Sequence, residues 1–103
     1  MHLTIRKYRK VEGDRTKLIE MVGREFVPLI SKIDGFKDFY AVFGDDGTLT
    51  SVSVFRDAKG AEESVRTAAR WVEQKLAKAL PEKPEVITGE VFGYRHLDKE
   101  KAA

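Results

Sequence analysis

Apolar residues recur along this chain at two spacings, and the switch between them marks its elements. Over residues 3–11, Leu3 and Ile5 alternate with Thr4, Arg6 and Tyr8, the period of a strand with two unlike faces. "VEGDRT" breaks that pattern, and Asp14 is placed to cap a helix over residues 15–33. Leu18, Val22, Phe26, Leu29 and Ile33 recur at helical spacing and form the stripe expected to be buried. Pro28 interrupts this run, so a kink or break is expected near Val27.

A β-hairpin is expected next, with Asp45, Asp46 and Gly47 at its turn. A two-residue loop there would put Phe39, Ala41, Phe43, Thr50, Val52 and Val54 on one face. The other face would carry Tyr40, Val42, Leu49, Ser51, Ser53 and Phe55. A second helix is predicted over residues 58–80, with Ala61, Val65, Ala68, Ala69, Val72, Leu76 and Leu80 as its stripe. "PEKPE" stops it, and a last strand is expected over residues 85–94. Residues 1–96 read as a single domain, followed by a charged tail over 97–103.

This order is β-α-β-β-α-β. Two right-handed crossovers joined by a hairpin give an α+β, ferredoxin-like fold, with a four-stranded antiparallel sheet and both helices on one face. The other face, expected to carry Tyr40, Val42, Leu49 and Phe55, would stay bare. Each large apolar side chain withdrawn from water is worth about 1.5–3 kcal/mol. A second copy packed face to face would cover the patch, so a homodimer with a central β-barrel is predicted.

Composition narrows the chemistry. The chain has 103 residues, 42% hydrophobic and 35% charged, with a formal net charge of +2. Those values fit a folded domain and give no electrostatic argument for a nucleic-acid partner. The topology is shared with RNA-recognition modules, but "SVSVF" lacks their basic-Gly-aromatic motif. With no cysteine, disulfides, thiolate nucleophiles and cysteine-based zinc sites are excluded. No metal site is expected: Asp45 and Asp46 suit turn chemistry, and His2 and His96 suit solvated chain ends. No signal-peptide core or membrane-length apolar run is seen, which gives the expectation of a cytoplasmic protein with no membrane partner.

The hairpin, "SVSVFRD" leading into the second helix and the close "KPEVITGEVFGY" together resemble the dimeric α/β-barrel superfamily. Within it they are most similar to antibiotic-biosynthesis-monooxygenase-like domains, over nearly the whole chain. The resemblance implies a homodimer and a small hydrophobic aromatic substrate, oxidised without a bound cofactor. The alternative is a non-catalytic, ligand-binding or stress-related barrel. Haem-degrading relatives place a Trp on the second helix, as Trp71 is here, but also use an Asn on the first strand and a His after the Trp. This sequence has no Asn, and no His between Trp71 and the last strand, which disfavours haem degradation.

The candidate pocket residues are Trp71, Tyr40, Ser53, Phe55, Arg6 and Tyr8. Trp71 would stack on a flat ligand, or else pack at the edge of the core. Tyr40, Ser51 and Ser53 would orient a ligand, or satisfy one another across the interface. Arg6 and Tyr8 would present a cation and a phenol to a ligand, unless Arg6 pairs with Glu90 or another carboxylate of the sheet. No residue is assigned a catalytic role from sequence.

Overall fold

A computed structural model describes residues 1–96; the expected tail, 97–103, lies outside the described residues. Strand β1 (His2–Tyr8) leads into three consecutive helical pieces: α1 (Arg15–Met21), a π-helical turn (Val22–Phe26) and α2 (Val27–Ser31). The hairpin β2 (Phe36–Phe43) and β3 (Leu49–Phe55) follows, then α3 (Ala58–Lys75) and β4 (Glu85–Glu90). The sheet order is β2-β3-β1-β4, with every neighbouring pair antiparallel. α3 lies across β1 and β3, and α2 lies against β2. This is the α+β, ferredoxin-like arrangement expected from the order of elements. Among the described residues, no helix is long and apolar enough to cross a membrane.

The first helix does not break at Pro28; it widens before it. Proline has no N–H to donate four residues back, and its ring crowds the carbonyl it would have met. A π turn relieves that conflict, and the Val27 amide donates to the Val22 carbonyl across it. The wider turn adds one residue to the helical count, so the buried stripe shifts by one beyond it. Leu18 and Phe26 are buried as expected, but Leu29 is exposed and Ile30 takes its place in the core. α3 is also shorter than expected. Pro81 disfavours helical backbone at Leu80, and the chain turns after Lys75, with the Leu80 amide donating to the Leu76 carbonyl. Both leucines remain in the core.

The hairpin corrects the expected faces. Its loop has three residues, not two. The Gly47 amide donates to the Gly44 carbonyl, Gly47 takes a positive φ of 84°, and the Gly44 amide donates to the Thr48 carbonyl. Asp46 fastens the turn: one of its carboxylate oxygens accepts from the Thr48 hydroxyl at 2.7 Å and the Thr48 amide at 3.1 Å. Those bonds hold its carboxyl below the usual aspartate range. One extra loop residue slips the register by one and turns every β3 side chain over relative to β2.

Phe43 therefore pairs with Leu49, Ala41 with Ser51, and Phe39 with Ser53. These residues face the helices together with Phe55, Thr4, Arg6 and Tyr8. Leu49 and Phe55, expected on the bare face, are buried in the core. The bare face instead carries Tyr40, Val42, Thr50, Val52 and Val54, joined by Leu3 and Ile5 of β1 and Ile87 of β4. Tyr40 and Ile87 are 62% and 63% exposed.

The start of α3 is pressed directly onto this sheet. A Cβ at Gly60 would lie 2.8 Å from the Asp34 carbonyl oxygen and 2.9 Å from the Phe55 ring. Gly→Ala in a helix ordinarily stabilises by about 0.5–1 kcal/mol. Here the sign should invert: Gly60→Ala should destabilise by about 1–3 kcal/mol, measured by urea denaturation, because backbone or ring must move.

Candidate functional site

Between the helices and the sheet lies a cleft whose wall is apolar apart from the residues Arg6, Tyr8 and Ser51. Trp71 reaches it from α3, and Val22 and Phe26 come from the π turn. Phe39 and Ala41 of β2 and Leu49 and Ser51 of β3 form its sheet side, and β1 supplies Arg6 and Tyr8. Register decides this set. Strand period two puts Arg6 and Tyr8 on one face, and pairing sets Arg6 opposite Ser51 and Tyr8 opposite Leu49. The three-residue hairpin then sets Ser51 opposite Ala41. Helical spacing aligns Ala68 and Trp71, and the small Ala68 leaves room beside the indole.

Trp71 is buried and stacks at a tilt on Phe26, with ring centroids 5.1 Å apart. Phe26 in turn meets Phe39 edge-on at 5.6 Å. Such pairs are worth about 0.5–1.5 kcal/mol beyond their burial. The water-accessible interior is about 40 Å³, and the cleft with its mouth spans about 400 Å³. That interior is small beside ordinary small-molecule sites, so a ring-sized ligand requires the cleft to widen. At Val22, Ala41 and Leu49 the cleft adjoins an apolar groove lined also by Ile19, Gly23 and Val42. An aromatic ring entering there would have to displace the π-turn wall from the sheet.

Arg6 is 4% exposed. Its Nε and one Nη donate to the Tyr8 hydroxyl oxygen at 3.3 and 3.0 Å, and the other Nη donates to the Val65 carbonyl at 3.4 Å. The expected pairing with Glu90 does not form. β4 runs antiparallel to β1 with Val86 opposite Arg6, which carries Glu90 to the far end of the strand beside His2. None of the ion pairs among the described residues includes Arg6. Arg6 is also the sole charged residue on the cleft wall. A buried charge without a counter-charge is costly and is found where something else answers it. The Tyr8 oxygen accepts from this cation, so its own O–H stays available as a donor.

The structure thus brings Trp71, Arg6 and Tyr8 together in one cleft and separates the other candidates from it. Tyr40 points from the opposite face of the sheet. Ser53 and Phe55 are on the helix side but beyond the cleft; Phe55 is fully buried, its ring 5.9 Å from that of Phe36. Phe26 and Val22 belong to the site although sequence pattern read them as core. Their helical stripe was the available signal, and it does not distinguish a core wall from a cleft wall. No metal-binding cluster occurs among the described residues.

No family model and no curated protein matches this chain. Solved structures do. A protein of unknown function from Nitrosomonas europaea is similar at 16% identity and a TM-score of 0.73, over 94% of this chain and 95% of that one. A monooxygenase from the ActVA-Orf6 gene of Streptomyces coelicolor, solved with the ligand nanaomycin D, is similar at 16% identity and a TM-score of 0.67. That match covers 94% of this chain and 92% of the other. A structure described as an antibiotic biosynthesis monooxygenase is similar at 11% identity and a TM-score of 0.66, over 90% of this chain and 100% of that one. Antibiotic-biosynthesis-monooxygenase-like proteins are thus among the structural neighbours of this chain, and at such identities the likeness establishes the fold.

A wall residue kept for packing and one kept for a ligand respond oppositely to replacement. Phe26→Ala should lower stability by about 3–5 kcal/mol in urea denaturation. Arg6→Met, which removes an unanswered buried charge, should leave stability within about 1 kcal/mol of the native protein or raise it.

Proposed function

We propose that this protein is an antibiotic-biosynthesis-monooxygenase-like enzyme that oxidises a small, flat aromatic compound in the cleft between its helices and sheet. The observation that carries the reading is the composition of that cleft: aromatic walls from Trp71 and Phe26, with Arg6 and Tyr8 beside them. A hydroquinone or anthrone fits that division. Its rings would lie against Trp71 and Phe26, and its ring oxygen would meet the Arg6 guanidinium and the Tyr8 hydroxyl.

Loss of a proton turns such a substrate into an electron-rich enolate or phenolate. The developing negative oxygen is then stabilised by a fixed cation in a water-poor site. The anion passes electrons to dioxygen, a C–O bond forms, and loss of water leaves the quinone. For an anthrone the balance is CH₂ + O₂ → C=O + H₂O, so the substrate supplies every electron. Tyr8 is the group placed to shuttle the proton, since no carboxylate or imidazole lines the cleft. That same lack favours a second reading, in which the cleft binds its ligand without turnover.

The working unit in this proposal is a homodimer of domains spanning residues 1–96, acting in the cytoplasm. Tyr40, Val42, Ile5 and Ile87 on the bare face support that assembly, because two copies packed through it would withdraw apolar surface that one copy leaves wet.

Oxygen uptake with a panel of anthrones and hydroquinones tests the proposal, run on a preparation whose mass is read by light scattering. Uptake should exceed background for at least one compound and fall by about tenfold or more in Tyr8→Phe. The particle should weigh about twice the 11.7 kDa chain. Tight binding without uptake would replace the enzyme by the ligand-binding reading, and a lone chain would remove the dimer.

A further inference from the structure

Arg6 says more than that the cleft wall carries a polar group. A guanidinium carries five N–H donors. Two bonds to Tyr8 and one to the Val65 carbonyl use three of them, and leave one N–H on each terminal nitrogen. The group is 4% exposed, so bulk water does not serve those donors, and no carboxylate among the described residues reaches it. The remaining cleft wall is aromatic and aliphatic apart from Tyr8 and Ser51. A hydroxyl satisfies donors but supplies no countercharge. A buried guanidinium without a countercharge among the described residues thus lies on the wall of an apolar cleft.

We propose that the cleft recognises its ligand as an anion: a flat aromatic body bearing one acidic oxygen group, already ionised at neutral pH, held by the free N–H groups of Arg6. The proposal rests on reading this cleft as the ligand site, and it adds the charge state in which the ligand arrives. Guanidinium pairs best with planar oxyanions, and a charge-assisted hydrogen bond inside a dry site is roughly twice as strong as a neutral one. A neutral ring of the same size would still find Trp71 and Phe26 but would leave the guanidinium unanswered. Discrimination should therefore follow charge rather than size. Two chemistries supply such an oxyanion, an aromatic carboxylate and an acidic enol, and they are separable by experiment.

Isothermal titration calorimetry with matched pairs is the test. The carboxylate arm compares 2-naphthoate with neutral 2-naphthamide. The enol arm compares 2-hydroxy-1,4-naphthoquinone with its neutral 2-methoxy ether. In at least one arm the anion should bind about tenfold or more tighter than its neutral partner. The arm that shows the preference identifies the oxyanion. Arg6→Met should abolish the preference while leaving the affinity for the neutral compound within about threefold, with urea denaturation showing a folded protein. Arg6→Lys serves as a second variant: it keeps the charge, loses the planar fork, and should retain part of the preference. Equal affinities within both pairs, failure of both anions to bind, or a preference that survives Arg6→Met would each overturn the proposal. Anion binding without oxygen uptake would sink the enzyme reading and leave this one standing. Uptake on neutral substrates without an anion preference would do the reverse.

Discussion

The Arg6 guanidinium sits under α3 with a phenol and a backbone carbonyl for company and, among the described residues, no carboxylate to balance it. Around it, the chain packs as a small domain should: three aromatic pairs, two leucines from the turn after α3 and a close helix–sheet contact at Gly60. Nothing about that packing requires a charge at position 6. A leucine or methionine there would fill the space and avoid the desolvation of an ion. Charged groups held in this way are concentrated where a ligand or a reacting group completes them. In the proposed function, the cleft, its aromatic walls and the positioning of Tyr8 take their meaning from that charge.

Local backbone devices deliver this arrangement. The π turn ahead of Pro28 brings Val22 and Phe26 to the cleft and carries Ile30, rather than Leu29, into the core behind it. Extra-wide helical turns often mark functional sites, where an added residue re-aims a side chain. The three-residue hairpin does the equivalent work for the sheet. By pairing Phe43 with Leu49 it brings Ala41 and Ser51 beneath the helices and sends Tyr40 and Val42 to the other side. One loop residue fewer, with β3 held in place, would turn Tyr40 and Val42 toward the helices in place of Phe39 and Ala41. An exposed Lys75–Glu25 contact of 3.9 Å also spans from α3 to the π turn, but a pair this open to solvent contributes little.

Much of the fold was legible in the sequence because it depends on period alone. Alternation located β1, helical spacing located the two crossovers, and the turn residues located the hairpin, so the ferredoxin-like order followed. What escaped was phase. Period cannot reveal that Pro28 would be absorbed by a wider turn, and so Leu29 was expected where Ile30 stands. The dipeptide Asp45-Asp46 with Gly47 suits loops of two or three residues, and only the Gly44–Thr48 pairing decides between them. The site inherits both effects. Trp71, Arg6 and Tyr8 lie on one cleft, a placement that depends on one helix and one strand. Ser53 and Phe55 were expected on the bare face and turn toward the helices instead, because their side depended on the hairpin register; Tyr40 lies on the bare face, where it was expected. The isolation of Arg6 depends on how β4 pairs with β1, a contact between chain ends that no local pattern encodes.

The account is tested most directly by a crystal structure of the protein grown with 2-naphthoate, read at Arg6. The expected result is the naphthalene ring against Trp71 and Phe26, with its carboxylate within about 3 Å of the Arg6 terminal nitrogens. A carboxylate of the protein itself within about 4 Å of that guanidinium would contradict it, because the charge would then already be answered.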